Sequence, residues 1–436
     1  MSAGQSGDAP SVGLKRDIGK WGARFLVLNC VIGAGIYGVP GALMEIAGSF
    51  SPWLFLILGV LIITVVLTFA VLASYFTGTG GPILYASSAF GPFVGFQTGW
   101  LLYMARVASF AANINVLFDY VGFLWSGASD GLLRGIMIFI VISLLTMINI
   151  LGIKKAIQAI NILTFFKTIP LIVMVLLSFQ YLAPAEIIPQ EFPVIDDASA
   201  LVLLILYAFV GFEASLVSAG ETKNPKTTMP RALISMMLVV TVFYFLVQLA
   251  YVAVAPDISG SGAPLVEMGR VLLGTAGATA VVVTAIFSVT GNVTSSIISS
   301  SRISYSMSQD GWLPKWFGVI NEKYNTPVNS LVFMAVLVFL LAISGTFVYL
   351  AVVSALTRML AYAICIVALP IIKKNADEKT RQEAMSLPGG LFIPGIAMLV
   401  SLFAISQSSL NSWLYLAGFI LIGNLLYFFN RRFNKN

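Results

Sequence analysis

The chain has 436 residues, 58% of them hydrophobic and only 10% charged, with a mean hydropathy of +0.95. Soluble domains carry about 25% charged residues, so this composition excludes a water-soluble globular protein and indicates an integral membrane one. The formal charge of +6 then marks cytoplasmic loops rather than a nucleic-acid surface.

Both cysteines, Cys30 and Cys365, lie in apolar stretches, and there is no histidine. Neither a disulfide framework nor a thiolate metal site is supported, and no metal or cofactor is expected. A polytopic enzyme would need a nucleophile with a base, or a metal cluster, and this composition offers neither. Any proton coupling has to use carboxylates, Lys or Tyr.

Residues 1–20 are polar and Gly/Ser-rich and read as a cytoplasmic tail. No cleavable signal peptide is visible, so the first span should act as an uncleaved anchor. Apolar runs of about 20 residues then predict an all-α protein with about twelve transmembrane helices. Their limits are 21–47, 52–76, 91–125, 133–152, 156–182, 198–219, 231–255, 271–306, 328–345, 347–370, 388–408 and 411–430. The third and eighth are long enough to tilt or protrude. Ten spans over 21–370 read as the core, 371–387 as a charged cytoplasmic loop, 388–431 as two peripheral spans and 432–436 as a cytoplasmic tail.

Basic residues set the orientation. Lys15, Arg16, Lys20 and Arg24 precede or open span one; Lys154, Lys155, Lys223, Lys226, Arg231, Arg302, Lys315 and Lys323 fall on the same side. So do Lys373, Lys374, Lys379, Arg381, Arg431, Arg432 and Lys435. The opposite connections hold only Arg134 and Arg270 among many acidic residues. The positive-inside rule therefore places both termini in the cytoplasm.

The first span is interrupted. Gly33, Gly35 and Gly38 lie within six residues, and Pro40 follows, which disfavours a continuous helix. Unwound backbone in a membrane has to be buried in protein or line a watery cavity. Read alone, these glycines suit close packing as well as a site. The sixth span repeats the peculiarity with Gly211 and Glu213. Interrupted spans five apart suggest two inverted five-span halves with a midplane site. Half-helix N-termini face anions and half-helix C-termini face cations, so crossed breaks suit an amino acid's zwitterionic backbone.

Charges within the spans are Arg106, Lys167 and Arg358, with Glu45, Asp119 and Glu213 within spans or at their ends. Intramembrane charge is by default a functional feature. Lys167 lies twelve residues past Lys155, about 18 Å of helix, too deep for easy snorkelling. Desolvation there disfavours the ammonium, so the side chain could load and unload a proton. Arg106, Ser109 and Asn113 share one face of span three. They should face the bundle, lining the cavity, anchoring Glu213 or the unwound backbone, or bonding helices together. The hydroxyl- and amide-rich run from Ser288 through Asn292 to Ser301 in span eight should also turn inward, with some hydroxyls near Lys167. Arg358 has no assigned partner.

Ile32-Gly33-Ala34-Gly35-Ile36-Tyr37-Gly38-Val39-Pro40 resembles the first-span break of the amino acid–polyamine–organocation (APC) superfamily. Ala208–Glu213, with Asn224-Pro225 and Pro230-Arg231 after it, resembles that superfamily's sixth span and following loop. Ser301–Pro314 running on to Pro327 resembles the end of span eight, and Thr79–Tyr85 with Ala89–Gly91 is a weaker fourth match. The resemblance implies a LeuT-type 5+5 inverted repeat with broken first and sixth helices plus two extra C-terminal helices. It implies amino-acid or amine transport across the cytoplasmic (inner) membrane, with no nucleic-acid partner. The substrate carboxylate would meet backbone N–H groups of Gly33, Ala34 and Gly35. Its amine would meet carbonyls of Ile32 and of Tyr207, Ala208, Phe209 and Val210. Side-chain contacts would come from Tyr207, Ser109 and Asn113, with Tyr207 where an arginine/agmatine exchanger has a gating tryptophan. Glu213 matches a proton-sensing glutamate, or else bonds backbone freed by the break. Lys167 matches a lysine that stands where sodium-coupled relatives bind Na⁺, making Lys167 and Glu213 the coupling candidates.

These readings lead to a sodium-independent amino-acid transporter working by proton-coupled uptake or exchange. A cationic amino-acid or polyamine exchanger using Glu213 is the alternative, and an amino-acid-binding sensor or channel is a third class. Few charges near the pocket and an Ala/Phe/Tyr lining tilt the substrate toward a neutral or apolar amino acid.

Overall fold

A computed structural model describes residues 16–151, 156–182, 198–254, 262–321, 323–324 and 326–433. Among these the chain is all-helical, with only two isolated bridge pairings. The sequence-predicted basic residues Lys15, Lys154, Lys155 and Lys435 lie outside them.

The first span divides into α1 (Lys20–Val31) and α2 (Gly35–Ala47), separated by three residues that open with an extended Ile32. Next come α3 (Ser51–Tyr75), a short α4 (Pro82–Phe90), α5 (Pro92–Leu124), α6 (Gly131–Ile150) and α7 (Ala156–Ser178). The sixth span also divides, into α8 (Ala198–Phe209) and the single turn α9 (Glu213–Leu216). Then follow α10 (Pro225–Val254), α11 (Pro264–Gln309), α12 (Val328–Ser344) and α13 (Phe347–Asn375). The chain closes with α14 (Glu378–Glu383), α15 (Phe392–Ser406) and α16 (Leu410–Phe433).

Seven stretches among the described residues are long and apolar enough to cross a membrane, and four shorter apolar helices accompany them. The chain is therefore a multi-pass membrane protein. Three boundaries differ from expectation. Helix α10 starts six residues earlier than the predicted 231, because Pro225 sits where a helix needs no N–H. Helix α11 starts at Pro264 but leaves helical geometry at Leu273 and Gly274, close to the predicted start at 271. The 371–387 loop is largely helical: α13 extends to Asn375, and Asp377 caps α14 by accepting the Thr380 N–H at 3.1 Å.

Leu132, Phe139, Leu144 and Met147 on α6 and Leu414, Leu425 and Phe429 on α16 are exposed, as suits helices facing lipid tails. Arg106, Lys167, Glu213 and Arg358 are all buried, so every deep charge points into the bundle. Around them α5 packs against α11 and α13, α3 runs along α10, and α7 lies on α11.

The two breaks meet at the centre: α2 packs on α8 and α1 on α9. A Cβ on Gly35 would come within 2.7 Å of the Ala208 Cα, so α2 and α8 touch backbone to backbone. Gly211 has φ +109°, a region hostile to L side chains, and a Cβ there would meet the Cys30 carbonyl oxygen at 2.6 Å. Packing and interruption are the same feature of these glycines.

Candidate functional site

At the first break the freed backbone groups find side-chain partners. Lys167 Nζ donates to the Ile32 carbonyl at 2.7 Å and to Asn29 Oδ1 at 2.8 Å. Asn29 Nδ2 in turn donates to Ser295 Oγ at 2.6 Å, and Asn292 Nδ2 donates to the Asn29 and Cys30 carbonyls at 3.1 and 3.2 Å. One ammonium and two carboxamides thus link α7, α1 and α11, and the expected hydroxyl near Lys167 is Ser295, reached through Asn29. On the α2 side, the Ala34 N–H donates to Asn113 Oδ1 at 3.0 Å.

The second break is organised by Glu213. Its Oε2 accepts the Gly211 N–H at 3.0 Å and the Tyr362 hydroxyl; its Oε1 accepts Arg358 Nε at 3.2 Å. Arg106 Nη2 lies 3.9 Å from the same Oε1. Arg358 also donates to the Ala105 carbonyl at 3.3 Å and to Ser354 Oγ. Glu213 therefore both bonds the freed backbone and balances guanidinium charge. Arg358, unassigned from sequence, is its closest basic partner.

Between the breaks lies a cavity of about 20 Å³, room for about one water. Gly33, Ala34, Gly35, Tyr207, Val210 and Glu213 line it, with Ser109 and Asn113 from α5. Tyr207 closes one side. Its hydroxyl lies 3.2 Å from Ser109 Oγ and accepts Asn113 Nδ2 at 3.3 Å, and its ring meets Phe347 edge-on at 5.8 Å. An amino acid needs more room than this, so these contacts have to part for one to enter.

Ile32, Ala208, Phe209 and Lys167 stand behind the wall rather than on it. The Ile32 carbonyl is held by Lys167, and the Phe209 ring turns away to Phe55 and Tyr244. The lining is also more polar than expected, since Arg106, Arg358 and Asn292 join it. Sequence reasoning missed Asn29 and Tyr362. The first could have been noticed as a carboxamide inside an apolar run; the second carried no local signal.

The fold and site define a multi-pass membrane permease rather than an enzyme, with a central site built from two interrupted helices. Residues 18–428 match the family described as Amino acid permease, and the chain belongs to that family, within the APC superfamily. It is 26% identical to the branched-chain amino acid permease BcaP of Bacillus subtilis, over 97% of this chain and 94% of that one. It is likewise 26% identical to the serine/threonine exchanger SteT of B. subtilis, over 94% and 95% of the two chains. The b(0,+)-type amino acid transporter 1 of Mus musculus is 25% identical, over 97% and 89%.

Proposed function

We propose that this protein is a secondary active transporter that carries an amino acid across the cytoplasmic membrane by alternating access, without sodium. The observation that carries the reading is the convergence of both interrupted helices on one cavity, with the N-terminus of α2 and the carbonyl end of α8 in its wall. Such ends suit a carboxylate and an ammonium respectively. The reading includes the LeuT-type inverted repeat of twelve spans with cytoplasmic termini, the Gly33–Gly35 amides for the carboxylate, and carbonyls around Tyr207 and Val210 for the amine.

Sodium independence is supported by Lys167, whose ammonium occupies the Ile32 carbonyl and repels a second cation beside it. Lys167 is the coupling residue of this reading, for proton-driven uptake or for exchange. The cationic-substrate alternative is less well supported, because both Glu213 oxygens are already engaged and two guanidiniums would repel a basic side chain. The substrate is accordingly a neutral amino acid, as the relatives named for branched-chain and serine/threonine transport also suggest. Purified protein in proteoliposomes should exchange external labelled amino acid against an internal unlabelled pool equally in sodium and choline buffers. No counterflow with any amino acid would refute the carrier, and a strict sodium requirement would refute the role of Lys167.

A further inference from the structure

Arg106 is the one guanidinium at the cavity whose donors are largely unspent. The side chain is 1% exposed and lines the cavity. Its Nη1 donates to Ser299 Oγ at 2.5 Å, while Nε and Nη2 make no hydrogen bond among the described residues. The nearest carboxylate oxygen, Glu213 Oε1, is 3.9 Å from Nη2 and accepts Arg358 at 3.2 Å instead. Two guanidiniums thus share one carboxylate, leaving a positive charge and two donor nitrogens, with three N–H bonds between them, in excess.

A guanidinium keeps its proton, so the excess cannot be relieved by titration. Buried donors without acceptors are costly, and charged ones more so. A hydrocarbon side chain brought against Arg106 would exclude water from those donors and return no acceptor. Its surroundings are also polar: Ser109 follows one turn along α5, and Ser296 and Asn292 of α11 line the same cavity. Arg106 precedes Asn113 by seven residues, about 10 Å of helix. Arg106, Asn113 and Ala34 nonetheless line one cavity, so the side chain of an amino acid held at Ala34 shares that space with the guanidinium.

We infer that Arg106 binds an oxygen acceptor on the substrate's side chain, so that hydroxyl- or carboxylate-bearing amino acids are taken in preference to hydrocarbon ones of the same shape. This rests on the amino-acid reading above, replaces the apolar tilt drawn from composition, and widens the neutral class of that reading to acidic side chains. Arg106 is then a specificity-determining residue, separate from the backbone groups that hold the zwitterion.

The test compares threonine with valine, and serine with alanine, as competitors of counterflow and as thermal stabilisers of the purified protein. Aspartate is included to separate a carboxylate from a hydroxyl. The oxygen-bearing member of each pair should bind about 10-fold or more tightly, and in Arg106→Met the ratio should fall toward one. Either aspartate or threonine as the strongest ligand supports the inference and identifies the source of the oxygen. Equal binding of threonine and valine to the unmodified protein, with aspartate no tighter than either, overturns it whatever happens to the variant's folding, and so does an undiminished ratio in Arg106→Met. Absence of binding or exchange by every amino acid would strike the parent reading instead.

Discussion

The side-chain oxygen of Asn113 accepts the Ala34 N–H at 3.0 Å, the very backbone donor assigned to a substrate carboxylate. On the proposed reading the protein satisfies that donor with a neutral oxygen of its own, and the same carboxamide donates to the Tyr207 hydroxyl. A carboxylate that took the Ala34 N–H would therefore also free the Asn113 carboxamide that holds Tyr207. Asn113→Asp would place a full negative charge at the N-terminus of α2, where it is held more strongly. The expected outcome is a KM raised about 10-fold or more in labelled uptake, with thermal stability unchanged or higher. An unaltered KM would remove Asn113 from the carboxylate site.

Lys167 is expected to tolerate no neutral replacement. Lys167→Ala removes the ammonium that donates to the Ile32 carbonyl and to Asn29 Oδ1, and a buried hydrogen-bonding group that loses its donor costs about 1–3 kcal/mol. The variant should still elute as a folded protein but show no uptake driven by a pH gradient. Normal pH-driven uptake would exclude a coupling role.

The Glu213 cluster should behave as a buried ion network. Glu213→Gln strands two guanidiniums, and breaking such a pair costs about 3–5 kcal/mol. The double variant Glu213→Gln/Arg358→Met removes one of the stranded charges and should recover part of that loss. Comparing the thermal midpoints of the two singles and the double measures the coupling; strict additivity would show that Arg358 and Glu213 do not support each other.

Gly211→Ala meets two obstacles at once, the +109° φ and the Cys30 carbonyl oxygen 2.6 Å from the new methyl. Strain of this kind is worth about 1–3 kcal/mol, so lower thermal stability and reduced transport are expected. A variant of wild-type stability would mean that the second break is freer than its geometry indicates.

The end of the bundle that holds Ile18 and Arg302 carries a latch. Arg302 reaches Glu221 at 2.5 Å and Ser218 at 3.2 Å, while Ile18 exchanges backbone hydrogen bonds with Glu221 and Lys223. A partly exposed pair contributes about 0–1 kcal/mol, so Arg302→Ala should hardly change stability. It should nonetheless favour opening to the inside. Cys30 lines the cavity and is one of only two cysteines. In a Cys365→Ser background, a cytoplasmic thiol reagent should therefore modify Cys30 faster in Arg302→Ala, and an unchanged rate would count against the latch.

Much of this was legible from local chemistry. The breaks at 32–34 and 210–212 fall at Gly33 and Gly211, whose backbone freedom acts locally and needs no partner, whereas Pro40 is carried inside α2. Lys167 was legible because an apolar run tolerates no ammonium without a reason. The partners were not legible. Arg358 stands 145 residues from Glu213, and Lys167 135 from Ile32; no periodicity connects such positions. Phe209 and Val210 are neighbours in sequence, yet one joins an aromatic cluster and the other the cavity wall.

The sequence by itself therefore determined a membrane-spanning helical chain, where two helices must open, and which residues carry charge in the core. Those properties depend on composition and on backbone preference, both local. Only the tertiary structure decided how the charges are shared: Glu213 between two arginines, Lys167 on the Ile32 carbonyl, and Arg106 left with donors to spare. Electrostatic pairing in a low-dielectric interior depends on distances of a few ångströms between segments far apart in the chain, and those distances exist only once the two breaks have packed against each other.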